Sequence, residues 1–128
     1  MPSEPKHLDP LAQLVVDAAL KVHRELGPGP LESVYEHCLA YEIGKRGHKV
    51  ARQVPVPIVY DGVRLDADLR LDLLVEDALI VEVKAVEREL PVFRAPLLTY
   101  MKLTGKRLGF RMNFNVPLIK DGIRRLVL

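Results

Sequence analysis

A glutamate and a lysine stand two positions apart in a segment that otherwise consists of small and branched apolar residues. They are Glu82 and Lys84, within A-L-I-V-E-V-K-A at residues 78–85. Alternate residues of a β-strand project from the same face, so the two side chains are expected to be close neighbours. A buried charge is unfavourable unless it is paired or bound to a metal. On these two residues alone, an ion pair on a partly hydrated face is the favoured interpretation, and a metal site is the alternative.

Asp72 adds a second carboxylate to this pair. It lies in the preceding alternating segment, across a short turn at residues 76–77, where it can face Glu82 from the neighbouring strand. Two such carboxylates could share one Mg²⁺, which binds one or two carboxylates, keeps several waters and accepts phosphate oxygens. The backbone carbonyl of Val83 is a further candidate ligand, and Lys84 could orient or help deprotonate an attacking water. The spacing D-x9-E-x-K also occurs by chance, so the metal site is a hypothesis at this point.

Two helices are predicted ahead of these strands. In the first, apolar residues recur at steps of three and four, which indicates one buried face: Leu11, Leu14, Val15, Ala18, Ala19, Val22 and Leu26. Asp9 is expected to cap this helix, with Pro10 in its first turn. The segment G-P-G-P at residues 27–30 must end it, and a second helix follows as far as Gly47. The second helix carries Leu31, Val34, Tyr35, Cys38, Leu39, Tyr41, Glu42 and Ile43.

The hydrophobic period changes to two at residue 50, which predicts β-strands. One strand is expected over residues 50–60 and a second over residues 65–75. The intervening Asp-Gly at residues 61–62 is a strong signal for a hairpin turn. Asp72 is expected on the polar face of the second strand.

The remaining elements define the fold class. Residues 78–85 form a third strand with largely apolar side chains on both faces, which predicts burial on both. A helix over residues 91–104, ended by Gly105, and a strand over residues 107–115 follow, while residues 122–128 are ambiguous. Three antiparallel strands followed by a crossover helix predict an α/β or α+β domain, with a central mixed sheet flanked by helices.

Composition describes one globular domain. The chain has 128 residues, of which 48% are hydrophobic and 28% are charged, which suffices for one core but not for two ordinary domains. Residues 1–10 are polar and proline-rich, do not resemble a secretory signal, and are interpreted as a flexible lead-in to a single domain at residues 11–128. No apolar run is long enough to cross a membrane. Cys38 is interpreted as core filler, and these features together predict a cytoplasmic protein.

Charge and histidine spacing narrow the choice of ligand. The formal net charge of +2 permits nucleic-acid binding without predicting it, and the basic clusters are interpreted first as solvated surface. The four histidines include no pair at the four-residue spacing that places two zinc ligands on one helix face. His23 is interpreted as a packed, hydrogen-bonded side chain, with a phosphate contact as the alternative.

Longer motifs carry a resemblance to a known family. Asp72 with E-V-K at residues 82–84 resembles the metal motif of the PD-(D/E)XK nuclease superfamily. Residues 29–35, G-P-L-E-S-V-Y, have the pattern G-x-x-E-x-x-Y. From about residue 11 to residue 127 the chain is similar to the small bacterial and archaeal proteins called the GxxExxY family. The similarity includes H-R-E-L-G at 23–27, Q-V-P-V at 53–56, L-T-Y at 98–100 and N-F-N-V-P at 113–117.

The resemblance implies a restriction-endonuclease-like core that hydrolyses phosphodiester bonds of nucleic acid, DNA more readily than RNA. The implied cofactor is Mg²⁺, with Mn²⁺ as a substitute. The implied metal ligands are Asp72, Glu82, Val83 through its carbonyl, and Glu32. The implied catalytic residues are Lys84, Glu82, Asp72 and Glu32. Glu32 would contact the metal directly or through water, although the helix dipole alone favours a carboxylate in a first turn by under about 1 kcal/mol.

Three further residues have two interpretations each. Tyr35 is expected to pack its ring while its hydroxyl finds a partner, with a role in the site left open. On the last predicted helix, either Tyr100 or Lys102 could face the substrate.

The oligomeric state is also left open, since a homodimer could form through an uncovered sheet edge.

One position departs from the family pattern. Family members resemble certain exonucleases in placing a glutamine on the helix after the E-x-K strand, where this chain has Pro96. Proline has no side-chain amide and would start or kink the helix, which places efficient cleavage in doubt more than metal binding. The rival interpretation is therefore a catalytically weak or inactive module that binds nucleic acid or a protein partner. A third is a structural domain in which Asp72, Glu82 and Lys84 form an ion-pair cluster.

Overall fold

The computed structural model describes residues 6–128, and residues 1–5 of the expected lead-in lie outside the described residues. A 3-10 helix, Lys6–Leu8, leads into helix α1 (Asp9–Leu26), which is followed by α2 (Glu32–Lys45). The first strands are β1 (Val50–Pro55), β2 (Ile58–Tyr60), β3 (Val63–Leu65), β4 (Arg70–Val75) and β5 (Leu79–Lys84). Then come α3 (Ala95–Thr104), β6 (Leu108–Asn113), a 3-10 helix (Ile119–Asp121) and β7 (Ile123–Val127).

Five strands form one mixed sheet. Their order is β1-β4-β5-β6-β7, and neighbours are antiparallel except for β5 and β6. Because a parallel pair needs a crossover connection, the chain between β5 and β6 passes through α3. The predicted α+β fold with a restriction-endonuclease-like core is confirmed, including the crossover helix after three antiparallel strands.

Helices cover both faces of this sheet. α1 and α2 pack on one face, against the odd-numbered apolar side chains of β5. α3 packs on the opposite face, where Leu97 and Met101 meet Ile80. β5 is buried along almost its whole length, as predicted. Glu82 and Lys84 share the strand parity of Ile80 and therefore lie on the side of the sheet that α3 covers.

The first helix begins one residue earlier than predicted. Leu8, not Asp9, occupies the cap position, and Pro10 lies in the first turn, where its missing N–H is not needed. Asp9 is already helical and forms an ion pair with Arg125 at 3.0 Å. Leu26, expected on the buried face, is 38% exposed at the last position of the helix.

The predicted hairpin is present as a separate arm. Asp61 and Gly62 have φ angles of 53° and 73°, and a two-residue turn of type I′ requires positive φ at both positions. β2 and β3 form a two-stranded sheet of their own. This arm exposes several apolar side chains, namely Val59, Tyr60, Val63 and Leu65.

The prediction of one long strand on either side of this turn is wrong, because each strand is interrupted. Pro57 follows the end of β1 and cannot donate to a ladder, which separates β1 from β2. Between β3 and β4, the amide of Leu69 donates to the carbonyl of Ala67 at 2.7 Å. This three-residue turn replaces the extended conformation that the alternation of residues 65–75 suggested.

The crossover helix begins later than predicted. Pro96 lies at the first or second position of α3, the part of a helix where a missing N–H is tolerated. Residues 90–95 form hydrogen-bonded turns instead of the expected helical turn. Gly105 ends the helix with φ of 70°, as predicted. The ambiguous last segment contains β7, which pairs with β6.

Candidate active site

Two adjoining cavities open where β4 and β5 separate. The first, here called the carboxylate cavity, has a volume of about 740 Å³, and its lining includes Glu32, Glu36, Gln53, Asp72, Val83 and Asn115. The second, here called the apolar cavity, has a volume of about 670 Å³, and its lining includes Glu82, Lys84, Phe93, Pro96, Tyr100 and Arg111. Glu32 lines both cavities. Together they form one cleft, which contains every metal-ligand and catalytic candidate proposed from the sequence. Of the two substrate-facing candidates on α3, Tyr100 lines the cleft and Lys102 does not.

Asp72 lies at the point where the two strands separate. Backbone pairing between β4 and β5 ends at Leu73 and Val81, one step before Asp72 and Glu82 would face each other. The amide of Val83 donates instead to Asp72 Oδ2 at 2.8 Å. The carboxylate thus takes the place of a backbone carbonyl, which fixes its position at the edge of the carboxylate cavity.

Glu82 is the most buried of the carboxylates proposed from the sequence, with an exposure of 5%. Its Oε1 lies 3.5 Å from Lys84 Nζ, whereas its Oε2 has no hydrogen-bond partner within residues 6–128. Burial raises the pKa of Glu82, and the positive charges of Lys84 and Arg111 oppose that rise. A buried acceptor without a donor is unfavourable, so this oxygen is well suited to receive a cation.

Burial also raises the pKa of Asp72. The hydrogen bond from the Val83 amide opposes this rise, and the negative charge of Glu36 adds to it. Asp72 and Glu82 therefore both lie in surroundings that disfavour their ionised forms. A nearby divalent cation reverses such a preference, because it stabilises the charged carboxylates.

The donor set fits a hard divalent cation that keeps most of its water. Within residues 6–128, no group of three histidine, cysteine, aspartate or glutamate side chains is placed to hold a metal ion by itself. Mg²⁺ commonly takes only one or two carboxylates, and waters complete its octahedron. Asp72 and the unpartnered oxygen of Glu82 meet that smaller requirement.

Two cationic side chains lie beside Glu82. The side chain of Lys84 is 33% exposed, so its ammonium group is accessible from the cleft. Arg111 stands opposite Glu82 in the register of β5 and β6 and is bound to Glu89 at 2.5 Å. Sequence reasoning missed Arg111, because its place beside Glu82 depends on the parallel pairing of two strands that are distant in sequence.

Glu32 extends into the cleft from the first residue of α2. Its Oε1 accepts a hydrogen bond from the Ala85 amide at 3.3 Å, which connects the start of α2 to the end of β5. This contact agrees with an ordinary carboxylate of a first helical turn. It also holds the side chain between the two cavities, both of which Glu32 lines.

Tyr35 and His23 are packed side chains, as predicted. The Tyr35 ring is fully buried and stacks on Phe114 with ring centroids 4.5 Å apart. Its hydroxyl donates to the Gly27 carbonyl at 2.5 Å. His23 Nε2 lies 2.8 Å from the carbonyl of Val116. Both residues thus stabilise the packing of the helices and their connection.

Glu36 and Gln53 form a support for Asp72 that sequence reasoning missed. The buried Glu36 accepts hydrogen bonds from Arg52 Nη2 at 2.8 Å and from Gln53 Nε2 at 2.5 Å. The same Gln53 nitrogen lies 3.5 Å from Asp72 Oδ1. Glu36 follows Glu32 by one helical turn, and this spacing was the one available signal that both carboxylates share a side of α2.

Gln53 has an unusual backbone conformation for a residue in a strand. Its φ is 52°, in the left-handed region, and the register of β1 and β4 places it opposite Asp72. A residue with a Cβ is strained in this region and remains there only where its surroundings hold it. The contacts with Glu36 and Asp72 supply that restraint.

Glycine and alanine at position 53 should separate the strained backbone from the supporting side chain. Gln53→Gly and Gln53→Ala both remove the amide beside Asp72, so the loss of this contact is common to the two variants and only the backbone differs. The glycine variant should be more stable than the alanine variant by about 1 kcal/mol, because only alanine retains the strained Cβ. Urea unfolding measures the difference, and equal stabilities would contradict the strain.

Asn113 fixes the segment that follows β5. It is buried at the end of β6, and its Oδ1 accepts hydrogen bonds from the amides of Val86 at 3.0 Å and Asn115 at 3.1 Å. Its Nδ2 donates to the Val86 carbonyl at 2.9 Å and lies 3.3 Å from Glu89 Oε1. The N-F-N-V-P segment therefore shapes the cleft, although sequence reasoning assigned it no role.

Comparison with known proteins identifies the class to which this fold and cleft belong. A family model described as the PD-(D/E)XK nuclease superfamily matches residues 9–126. The chain belongs to this superfamily, whose nucleases generally use divalent metal ions. Comparisons with curated proteins and with solved structures give no match. None of the helices within residues 6–128 combines the length and apolar character needed to cross a bilayer.

Proposed function

We propose that this chain is a Mg²⁺-dependent nuclease that hydrolyses phosphodiester bonds of nucleic acid, DNA in preference to RNA. The observation that carries the proposal is the buried, unpartnered Oε2 of Glu82, next to Lys84 on the same strand and one step from Asp72 at the opening of the sheet. Membership of the nuclease superfamily supports this assignment. The preference for DNA rests on the superfamily alone.

Each residue of the centre has a distinct part in this proposal. Asp72 and Glu82 would hold the cation, the Val83 carbonyl would add a backbone ligand, and Glu32 would contact the cation through a water molecule. When bound, the divalent ion supplies Lewis acidity and neutralises charge that develops on the phosphate. Gln53 keeps Asp72 in position, since its amide lies near both Glu36 and Asp72.

Lys84 acts on the water and on the phosphate. Its ammonium group donates hydrogen bonds, which orients the attacking water and offsets negative charge as the water oxygen bonds to phosphorus. The P–O ester bond breaks as the new P–O bond forms, the attacking water releases its proton to solvent, and the leaving oxygen takes up a proton from solvent. The products carry a phosphate on one side and a hydroxyl on the other. The partial exposure of the Lys84 side chain leaves its ammonium within reach of a substrate in the cleft.

A cleavage assay tests this function directly. Purified protein is incubated in Mg²⁺, Mn²⁺ or chelator with DNA and RNA, single- and double-stranded, in end-labelled and circular forms. Wild type should cleave only with metal. Asp72→Asn should fold yet lose cleavage, because asparagine keeps an oxygen for the Val83 amide but loses the charge. If folded wild-type protein leaves all these substrates intact, the nuclease assignment is wrong.

One observation favours a second function, that of a binding module that does not cut. Pro96 lines the apolar cavity beside Glu82 and Lys84, at the position where family members carry a glutamine. The cleft then has no amide at that point to hold a substrate or a carboxylate. On this alternative, the protein binds nucleic acid or a protein partner without metal-dependent cleavage, and the variants at Asp72 and Lys84 bind as wild type does.

A further inference from the structure

The apolar cavity has walls suited to a flat organic ring. Phe93, Pro96 and Tyr100 contribute cyclic side chains. Leu90 and Val92 lie at its rim, each 69% exposed. Contact with an apolar ligand would remove these side chains from water, which is favourable. The cavity thus offers stacking and apolar contact immediately beside the candidate catalytic centre.

Cationic groups surround the aromatic wall. The guanidinium carbons of Arg94 and Arg111 each lie 5.4 Å from the centroid of the Phe93 ring. Lys84 lines the same cavity. Guanidinium planes and aromatic rings are the two kinds of surface on which proteins stack bases, while cations near them attract the connecting phosphates.

The position of the cavity within the cleft restricts what can occupy it. Glu82 and Lys84 line it, and Glu32 separates it from the carboxylate cavity. A phosphate held at Lys84 therefore has its adjoining nucleoside next to the cavity that Phe93 and Tyr100 also line. In a duplex that base is paired and stacked, and its faces are not available.

We propose that the apolar cavity binds one unpaired base next to the scissile phosphate, so that the substrate is single-stranded nucleic acid or an unpaired end. This inference rests on the proposed function, because the phosphate position that it uses is the candidate catalytic centre. Pro96 contributes an apolar ring without a side-chain donor to this wall, which suits a base better than a carboxylate. An apolar peptide is the competing occupant, but the exposed Arg94 and the partly exposed Lys84 match a phosphate chain better.

Binding without metal provides the test, since no metal-dependent cleavage can then occur. Fluorescence anisotropy in chelator compares a labelled single-stranded oligonucleotide, an abasic oligonucleotide of the same length, and a duplex. Wild type should bind the strand that carries bases more tightly than the other two. Tyr100→Ala should weaken binding of that strand by about tenfold and leave the abasic strand unaffected, the scale expected for loss of one stacked base.

Two further variants keep the test independent of folding. Tyr100 also packs against the core under α3, so Tyr100→Leu keeps apolar bulk and removes only the aromatic face. Leu90→Glu changes an exposed rim position and adds a charge that repels phosphate. Both should weaken binding of the base-containing strand. Tyr41→Ala is the matched control, because Tyr41 is an exposed tyrosine of α2 that lines a different cavity.

The outcomes distinguish this inference from the proposed function. Equal affinity for the abasic and base-containing strands, preference for the duplex, or no binding by folded wild type would overturn the inference. So would wild-type affinity in both Tyr100→Leu and Leu90→Glu. If binding follows expectation but no substrate is cleaved with Mg²⁺ or Mn²⁺, the base site stands and the nuclease assignment fails. If duplex is cleaved and Tyr100→Leu changes nothing, the nuclease assignment stands and the base site is wrong.

Discussion

Alanine in place of Lys84 should lower Mg²⁺-dependent cleavage by about a thousandfold, the range typical of a group that transfers protons or stabilises charge in a transition state. Lys84 is the cationic group on the strand of Glu82, and its ammonium lies 3.5 Å from Glu82 Oε1. Its loss removes the proposed donor to the attacking water but leaves Asp72 and Glu82, the two carboxylates proposed to bind the metal. Single-turnover cleavage with saturating Mg²⁺ isolates this effect from substrate release.

A control lysine makes the result specific. Lys49 is exposed at the start of the β1 segment, outside the cleft, and Lys49→Ala should cleave as wild type does. Thermal stabilisation by Mg²⁺ should persist in Lys84→Ala, because Asp72 and Glu82 remain. A Lys84→Ala variant that cleaves within a few-fold of wild type would remove Lys84 from the reaction.

Glutamine in place of Glu82 should stabilise the metal-free protein and abolish its stabilisation by Mg²⁺. Burial raises the pKa of Glu82 above the ordinary value of 4.5 even though Lys84 and Arg111 oppose the rise, so the folded state favours the neutral side chain. Glutamine is neutral at every pH and has nearly the same shape. For wild type, Mg²⁺ at a hundred times its Kd should add about 2.7 kcal/mol to the free energy of unfolding; for Glu82→Gln it should add nothing.

The raised pKa of Glu82 also predicts how the free energy of unfolding depends on pH. Between pH 4.5 and the raised pKa of Glu82, the Glu82 side chain holds its proton in the folded metal-free protein and loses it in the unfolded chain. The contribution of Glu82 to the free energy of unfolding therefore falls as pH rises through that range. Glu82→Gln should lose the part of this decrease that comes from Glu82, whereas Asp72 contributes a similar part in both proteins.

Urea unfolding from pH 4 to pH 8, with and without Mg²⁺, measures both effects. Glu25→Gln is the matched control, because Glu25 is an exposed glutamate of α1 and its replacement should change neither the pH profile nor the response to Mg²⁺. A Glu82→Gln variant that is less stable than wild type in chelator would show that the ion pair with Lys84 outweighs burial. Undiminished stabilisation by Mg²⁺ would exclude Glu82 as a ligand.

The order of the elements could be predicted because each carries its own hydrophobic period. α1, α2 and β5 have apolar residues at helical or strand spacing, and the Asp-Gly at residues 61–62 specifies its turn through left-handed φ angles. The proximity of Asp72, Glu82 and Lys84 could be predicted for the same reason, because they lie on two strands that a single short turn connects. The bounds of the strands could not be predicted as well, because the alternation of residues 65–75 does not reveal the turn between Ala67 and Leu69.

The support of the site depends on pairings that local pattern does not encode. Glu36 meets Gln53 across 17 positions of sequence, and Arg111 reaches Glu89 across 22. The first contact depends on the packing of α2 against β1, and the second depends on the path of the segment between β5 and α3. The left-handed conformation of Gln53 is likewise a result of tertiary contacts, since the residue type gives no indication of it.

The substitution of a side chain for a backbone acceptor at Asp72 has a consequence for how this protein can evolve. A mutation that removes the Asp72 oxygens also leaves the Val83 amide without its acceptor, so loss of this proposed metal ligand is coupled to damage to the sheet. Asparagine escapes this coupling. Related proteins that have lost the reaction should therefore retain an oxygen-bearing side chain at position 72 after Lys84 has been replaced. In such proteins the residue at position 72 would have a structural role only.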